Sequence, residues 1–273
     1  MEKGKFMIRV MTFNIQGENW CTEGQYSWDN RAEFVVETVL RARPGVVGFQ
    51  EIDTQSYAFL REKLVGYEHV PGEWVPETRM PGWCTIFWRT AVFERLDSGT
   101  FWLSDTPDDP SLSWDVEYPM IVQWVRLRHR ENGRSLLHFN THLEDGADGE
   151  RQRQLSGQLM VQRVAAMQKE GEAVVLTGDF NCDAESWAYD HFLANGFVDS
   201  YLAIRKEEAT TFHGFEGEGY DGRRWGGDNP YWRVDWILVR GTLTLVEATI
   251  IRDAQPPLYP SDHYPVMATL GWD

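Results

Sequence analysis

The chain has 273 residues, 42% hydrophobic and 25% charged, with a formal net charge of −16 and a pI near 4.8. The length fits one globular domain, taken here as 1–273. The acidity argues against tight sequence-independent binding to nucleic acid, which depends on Lys and Arg neutralising phosphates. No run approaches the ~18 apolar residues of a membrane helix. The start, Met1 to Phe6, lacks the apolar core of a signal peptide, so a soluble, cytoplasmic chain is expected. The 13 Trp, 14 Phe and 10 Tyr can fill a core and line a cleft. Cys21, Cys84 and Cys182 are odd in number and far apart, which predicts buried free thiols and not a metal-binding spacing.

In chain order, Ile8 to Asn14 alternates as a strand and ends on Asn14. Asp29 to Arg43 carries Ala32, Val35, Val36, Val39 and Leu40 at helical spacing, with Asp29 or Asn30 as the cap and Pro44-Gly45 as the stop. Val46 to Gln50 is a buried strand ending at Glu51. A short helix over 54–64 leads to irregular chain, then strands at 84–93 and 99–103. Ile121 to Arg128 and Ser135 to Thr141 flank Asn132-Gly133, a hairpin turn, and the second strand ends at His142. A helix over 148–169 precedes the apolar strand that runs from Ala173 into Gly178-Asp179-Phe180-Asn181. The second half therefore repeats the plan of the first: strand with a polar end, helix, strand with a polar end. A weaker helix covers 185–195, and residues 213–232 form a long Gly-, Trp- and Asp-rich loop. Strands at 234–239, 243–251 and 266–270 close the chain, with a Pro-Ser-Asp-His-Tyr-Pro loop at 260–265.

Polar residues thus end apolar strands at Asn14, Glu51, His142, the Asp179/Asn181 pair, Asp235 and the Asp262-His263 pair. Each has a bland reading: a strand cap, an Asx turn, a solvated carboxylate, or an ion pair of Asp235 with Arg233. Together they speak for one chemistry. Asp179 and Asn181, two apart in an extended segment, would face the same way. A carboxylate there can take a proton from water while the carboxamide donates to an oxyanion. Glu51 and Asp262 are hard oxygen ligands suited to a hydrated divalent cation.

The stretches Thr12-Phe13-Asn14, Gln50-Glu51, Asn140-Thr141-His142-Leu143, Gly178-Asp179-Phe180-Asn181, Val234-Asp235-Trp236-Ile237 and Ser261-Asp262-His263 resemble the endonuclease/exonuclease/phosphatase family, the fold of deoxyribonuclease I. Phe101 to Pro107 is similar to a segment of a small bacterial branch of that family. The resemblance implies a four-layer α/β/β/α sandwich of two packed mixed, mainly antiparallel sheets. It also implies hydrolysis of a phosphate ester, by a phosphodiesterase, nuclease or phosphatase, with Mg²⁺ or Mn²⁺. On this reading Asn14, Glu51 and Asp262 serve the metal. Asp179 activates water, and Asn181 supports the nucleophile or donates to the transition state. His263 donates to a phosphate oxygen with Asp235 fixing its tautomer, and His142 contacts the phosphate from the other side. The family glutamate that backs His142 has no counterpart in register, Glu73 and Glu77 being the nearest acids upstream. Pro119-Met120 stands where an arginine is common, and Arg151 and Arg153 are candidates to replace its phosphate contact.

The loop candidates at 20–28, 73–83, 105–117 and 213–232 carry more acid than base and many aromatics. That rim suits a small molecule or a short single-stranded nucleic acid better than duplex DNA. Two competing readings are a catalytically idle binding module for a phosphorylated, sugar or lipid headgroup, and a carboxylate-pair glycosidase. The complete polar set argues against the first. The second gives the Ser-Asp-His loop no role.

Overall fold

The computed structural model describes residues 6–18, 23–70, 83–146, 149–221 and 232–272. Twelve strands among them form two six-stranded sheets. The first holds β1 (Phe6–Asn14), β2 (Val46–Ile52), β3 (Tyr67–Val70), β4 (Trp83–Arg89), β11 (Leu243–Ile250) and β12 (Val266–Trp272), in the order β11-β12-β1-β2-β4-β3. The second holds β5 (Phe93–Trp102), β6 (Ile121–His129), β7 (Ser135–His142), β8 (Ala173–Asp179), β9 (Val198–Asp199) and β10 (Asp235–Arg240), in the order β5-β6-β7-β8-β10-β9.

Each sheet has one parallel pair, β1/β2 and β7/β8, and is otherwise antiparallel. These pairs are joined by the two long helices, α1 (Trp28–Ala42) and α3 (Glu150–Met167). That is the repeated strand–helix–strand plan, for a parallel pair needs a crossover long enough to hold a helix. The inner faces stack through Val10, Val46, Ile86, Val125, Val175 and Ile237. α1 and α2 (Thr54–Lys63) cover the outer face of the first sheet through Val35, Val39 and Leu60. α3 and α4 (Trp187–Ala194) cover the second through Met160, Val164 and Phe192. The result is the expected α/β/β/α sandwich. Among the described residues no helix is long and apolar enough to cross a membrane.

A polar seam ties the two sheets beneath the strand ends. Asn140 on β7 donates through Nδ2 to Phe49 O and Thr85 O of the opposite sheet, at 2.8 and 3.0 Å. Its Oδ1 accepts from Gln50 Nε2 at 2.6 Å and from Thr177 Oγ1 at 2.9 Å. His138 Nε2 meets Thr177 Oγ1 at 2.8 Å. Gly48 makes this approach possible, since a Cβ there would lie 2.3 Å from Asn140 Oδ1. Buried amides placed this way hold one sheet against the other in one register, which apolar packing alone specifies less well.

Several boundaries differ from expectation. The strand predicted over 84–93 is two strands, β4 and β5, separated by a turn at 90–92. β5 then runs unbroken to Trp102, and a bulge between Arg95 and Asp97 spoils the alternation that would have marked it. The edge strands β3 and β9 and the six-residue helix α5 (Ser200–Arg205) were not predicted. α5 starts on Asp199, whose Oδ1 accepts from Tyr201 N at 2.8 Å. Ser27, not Asp29 or Asn30, occupies the N-cap of α1. Cys84 and Cys182 are buried free thiols, as expected. Cys21, Glu73, Glu77, nearly all of the 73–83 loop and half of the 213–232 loop (222–231) lie outside the described residues.

Candidate active site

Strand register brings the site together. Asp179 ends β8 directly beside His142 on the parallel β7 and opposite Asp235 on the antiparallel β10. From the other sheet, Asn14 ends β1 and Glu51 lies near the end of β2. Glu51 has a left-handed backbone, φ 54°, where the β2–β4 register slips between Phe49 and Ile52. The slip re-aims the Glu51 side chain, as bulges beside functional sites do. Asn14 then spans the gap between the sheets: its Nδ2 donates to Glu51 Oε1 at 2.8 Å and to Asp179 Oδ2 at 3.0 Å.

Asp179 Oδ2 lies 3.5 Å from His142 Nε2 and 3.6 Å from His263 Nε2. His263 is turned by Asp235, whose Oδ2 accepts from Nδ1 at 2.9 Å. Burial works against the His263 cation, but the Asp235 and Asp179 carboxylates raise its pKa well above the ordinary value. Asp235 therefore serves His263, while Arg233, its suggested partner, pairs with Asp199 and Glu208. Thr211 Oγ1 accepts from the amides of Val234 and Asp235 and so anchors the start of β10.

Asn181 is not extended. Its φ is 49°, and its amide N–H donates to Asp179 Oδ1 at 2.9 Å. The Asx turn considered as the bland reading is present and belongs to the site. Asn181 Nδ2 donates to His142 Nε2 at 2.9 Å and to Leu143 O at 2.8 Å. The Leu143 carbonyl fixes the orientation of the carboxamide, because an amide oxygen there would face another acceptor. His142 Nε2 is then an acceptor, and its ring proton sits on Nδ1. Asn181 is thus a hydrogen-bond partner of His142 that the sequence reading did not name, while Glu73 and Glu77 lie outside the described residues.

Glu51, His142, Asp179, Asn181, Asp262 and His263 all line one cleft of about 900 Å³. Burial first, then the nearby Asp262 carboxylate, push the Glu51 carboxyl up to about 7, against the opposing influence of His142. Asp262 accepts from Ser261 Oγ at 3.1 Å and from Gln16 Nε2 at 2.8 Å. The donor atoms of Glu51, His142 and Asp179 lie within 4.8 Å of one another, as do those of Asp179, Asp235 and His263.

The two arginine candidates part company. Arg153 lines the cleft but is buried, and its Nη1 donates to Glu144 O and Gly146 O at 2.8 and 2.9 Å. It shapes the loop after His142. Arg151 is 72% exposed and 4.0 Å from Asp115, away from the cleft. Positions two apart on a helix point about 200° from each other, so only one of the pair can face inward.

Two residues escaped the sequence reading. Gln16 lines the cleft with a left-handed backbone. Arg31, fully buried on α1, donates to the carbonyls of Ile15, Gln16, Tyr26 and Pro260. An arginine one position before Ala32 on the apolar stripe was the available signal for the second.

The profile of the endonuclease/exonuclease/phosphatase family matches residues 11–263. The chain belongs to that family. Among solved structures, the endonuclease/exonuclease/phosphatase from Bacteroides vulgatus is similar at 26% identity and a TM-score of 0.83, covering 98% of this chain and 100% of that one. The mannosyl-6-phosphatase of Bacteroides thetaiotaomicron is 25% identical with a TM-score of 0.82, over 97% and 100% of the two chains. Nocturnin from Rattus norvegicus is 26% identical over 208 residues, which are 69% of this chain and only 46% of nocturnin. This family member therefore corresponds to less than half of that relative.

Proposed function

We propose that the protein is a divalent-metal-dependent hydrolase of phosphate esters that favours a small, uncharged leaving group. The observation that carries this reading is the convergence of Glu51, Asp179, His142 and His263 from both sheets on one cleft. The donor set fits Mg²⁺ or Mn²⁺. Glu51 is a carboxylate whose charge is disfavoured by burial and by Asp262, and both are hard oxygen ligands. Glu51 and Asp262 would hold the ion. Asn14 would brace it from behind, since its Nδ2 is committed to two carboxylates and its Oδ1 accepts from Gln16 N at 3.0 Å. When bound, a divalent ion polarises a phosphoryl oxygen and stabilises charge that develops there.

Asp179 takes the proton from the attacking water. Asn181 holds that water through Oδ1, because both hydrogens of Nδ2 are already given to His142 and Leu143. His263, kept cationic by Asp235 and Asp179, donates from Nε2 to a non-bridging phosphate oxygen. His142 lines the cleft beside Asp179 and contacts the phosphate from the opposite side.

Away from these groups the cleft is walled by Glu117, Glu144, Asp145, Glu150, Asp183 and Glu185. A second phosphate would meet like charge there, whereas hydroxyl groups would find acceptors. Trp187, 38% exposed at the rim and stacked on His191 at 4.5 Å, offers a flat face to a ring. Similarity to a mannosyl-6-phosphatase supports the same class, a sugar phosphate. The test is a panel assayed with Mg²⁺ and with Mn²⁺: hexose phosphates, dye phosphomonoesters and phosphodiesters, RNA, single-stranded DNA and duplex DNA. Hexose phosphates are expected to show the highest kcat/KM. Duplex DNA cleaved as fast as a dye diester contradicts the substrate class.

A further inference from the structure

Gln16 follows β1 by two residues and lines the cleft together with Glu51 and Asp262. Its backbone is left-handed, φ 46°, a conformation that a residue with a Cβ keeps only when its surroundings impose it. Here three hydrogen bonds do so. The N–H donates to Asn14 Oδ1 at 3.0 Å, the carbonyl accepts from Arg31 Nη2 at 2.5 Å, and the side-chain Nε2 donates to Asp262 Oδ2 at 2.8 Å. Arg31 Nη1 also donates to Ile15 O and Pro260 O, both at 2.8 Å. One guanidinium therefore locks the loop of Gln16 to the loop that bears Asp262.

An ionised carboxylate only accepts hydrogen bonds, so the Gln16 amide must present its nitrogen to Asp262. That leaves Oε1 as the free end. It is buried, and among the described residues it has no hydrogen-bond donor. A buried oxygen beside carboxylates is stabilised by a cation.

We propose that Gln16 Oε1 is an oxygen ligand of the divalent ion, beside Glu51 and Asp262. The inference rests on the metal reading above. A carboxamide adds a ligand without adding negative charge, so the ion keeps more of its field for the phosphoryl oxygens.

Calorimetric titration of EDTA-stripped protein with Mn²⁺ tests this, using the wild type, Gln16→Leu and Gln16→Glu. Gln16→Leu is expected to weaken Mn²⁺ binding about 10-fold or more, the size seen when groups around a metal are removed. Gln16→Glu keeps an oxygen at this place but cannot donate to Asp262, and it is expected to bind at least as tightly as the wild type. Weakening in both variants assigns Gln16 to holding Asp262 and overturns the ligand role. Unchanged affinity in Gln16→Leu overturns it too. Absence of Mn²⁺ binding by the wild type overturns the metal reading and this inference with it. Should the variants not fold, the wild type decides by NMR. The Nε2 proton resonances of Gln16 are expected to shift with Mg²⁺ and saturate at the calorimetric Kd, and resonances that stay still contradict the proposal.

Discussion

Asp235 is the residue whose role is most sharply defined by its surroundings, because its Oδ2 is bonded to His263 Nδ1 and the side chain is buried. Asp235→Asn keeps the shape and removes the charge. Burial then weighs against the His263 cation with one carboxylate fewer to oppose it, so the His263 pKa falls. Turnover is expected to drop about 10²- to 10⁴-fold with little change in KM, and the high-pH limb of the activity profile should move to lower pH. An NMR titration of the His263 ring protons checks the shift. At this scale the sequence marked the polar groups at the strand ends. It did not show how they are turned. Asn181 reaches the cleft through a left-handed turn and not along a strand, and Glu51 does so through a register slip. Backbone conformations of that kind are imposed by neighbours far away in the chain, so no local pattern announces them. Arg31 and Gln16 were missed for a related reason: their partners are backbone carbonyls and a carboxylate brought in from Pro260 and Asp262.

At the scale of the element, β7 carries more than its terminal histidine. Asn140 bonds to the opposite sheet through three of its contacts, and removing it strands several buried groups. Asn140→Ala is expected to lower stability by about 2–4 kcal/mol in urea unfolding, from unsatisfied amides and lost packing. His138, buried four residues before the cleft, is held neutral, with burial depressing its pKa to about 3 from an ordinary 6.5. The unfolded chain binds that proton below about 6.5 and the folded chain does not. Stability from this residue is therefore fully present above pH 6.5 and is lost as pH falls toward 3. His138→Gln should flatten that part of the stability–pH curve, measured by urea midpoints between pH 4 and 7. The long elements were legible because apolar periodicity and stop signals agree over 10 or more residues, as in α1. β3, β9 and α5 were not, because two to six residues carry too little pattern and their form depends on the strand beside them.

Over the whole molecule, two strand–helix–strand units place their polar ends at one edge of a double sheet, and the seam of Asn140, Gln50 and Thr177 keeps the halves opposed. This architecture could be read from the repeat of the plan along the chain. The acidic wall of the cleft was legible in part, since Glu117 lies in the 105–117 loop; Glu185, assigned to a helix over 185–195, was not seen as part of that wall. With a formal charge of −16, the molecule repels polyanions at long range. Raising salt from 20 to about 200 mM shortens the Debye length from roughly 20 Å to under 10 Å. It should therefore raise kcat/KM for oligonucleotides while changing that for a sugar phosphate far less, as stopped assays at fixed Mg²⁺ would show. In the proposed reaction a divalent ion and the Asp179 carboxylate together hydrolyse a phosphate ester. Its most direct test is phosphate release from a hexose phosphate by EDTA-stripped wild type and by Asp179→Asn, each before and after Mn²⁺ is restored. Activity is expected only in the wild type with Mn²⁺, with the variant slower by about 10³-fold or more while still binding substrate. Hydrolysis that survives EDTA, or a variant as fast as the wild type, contradicts it.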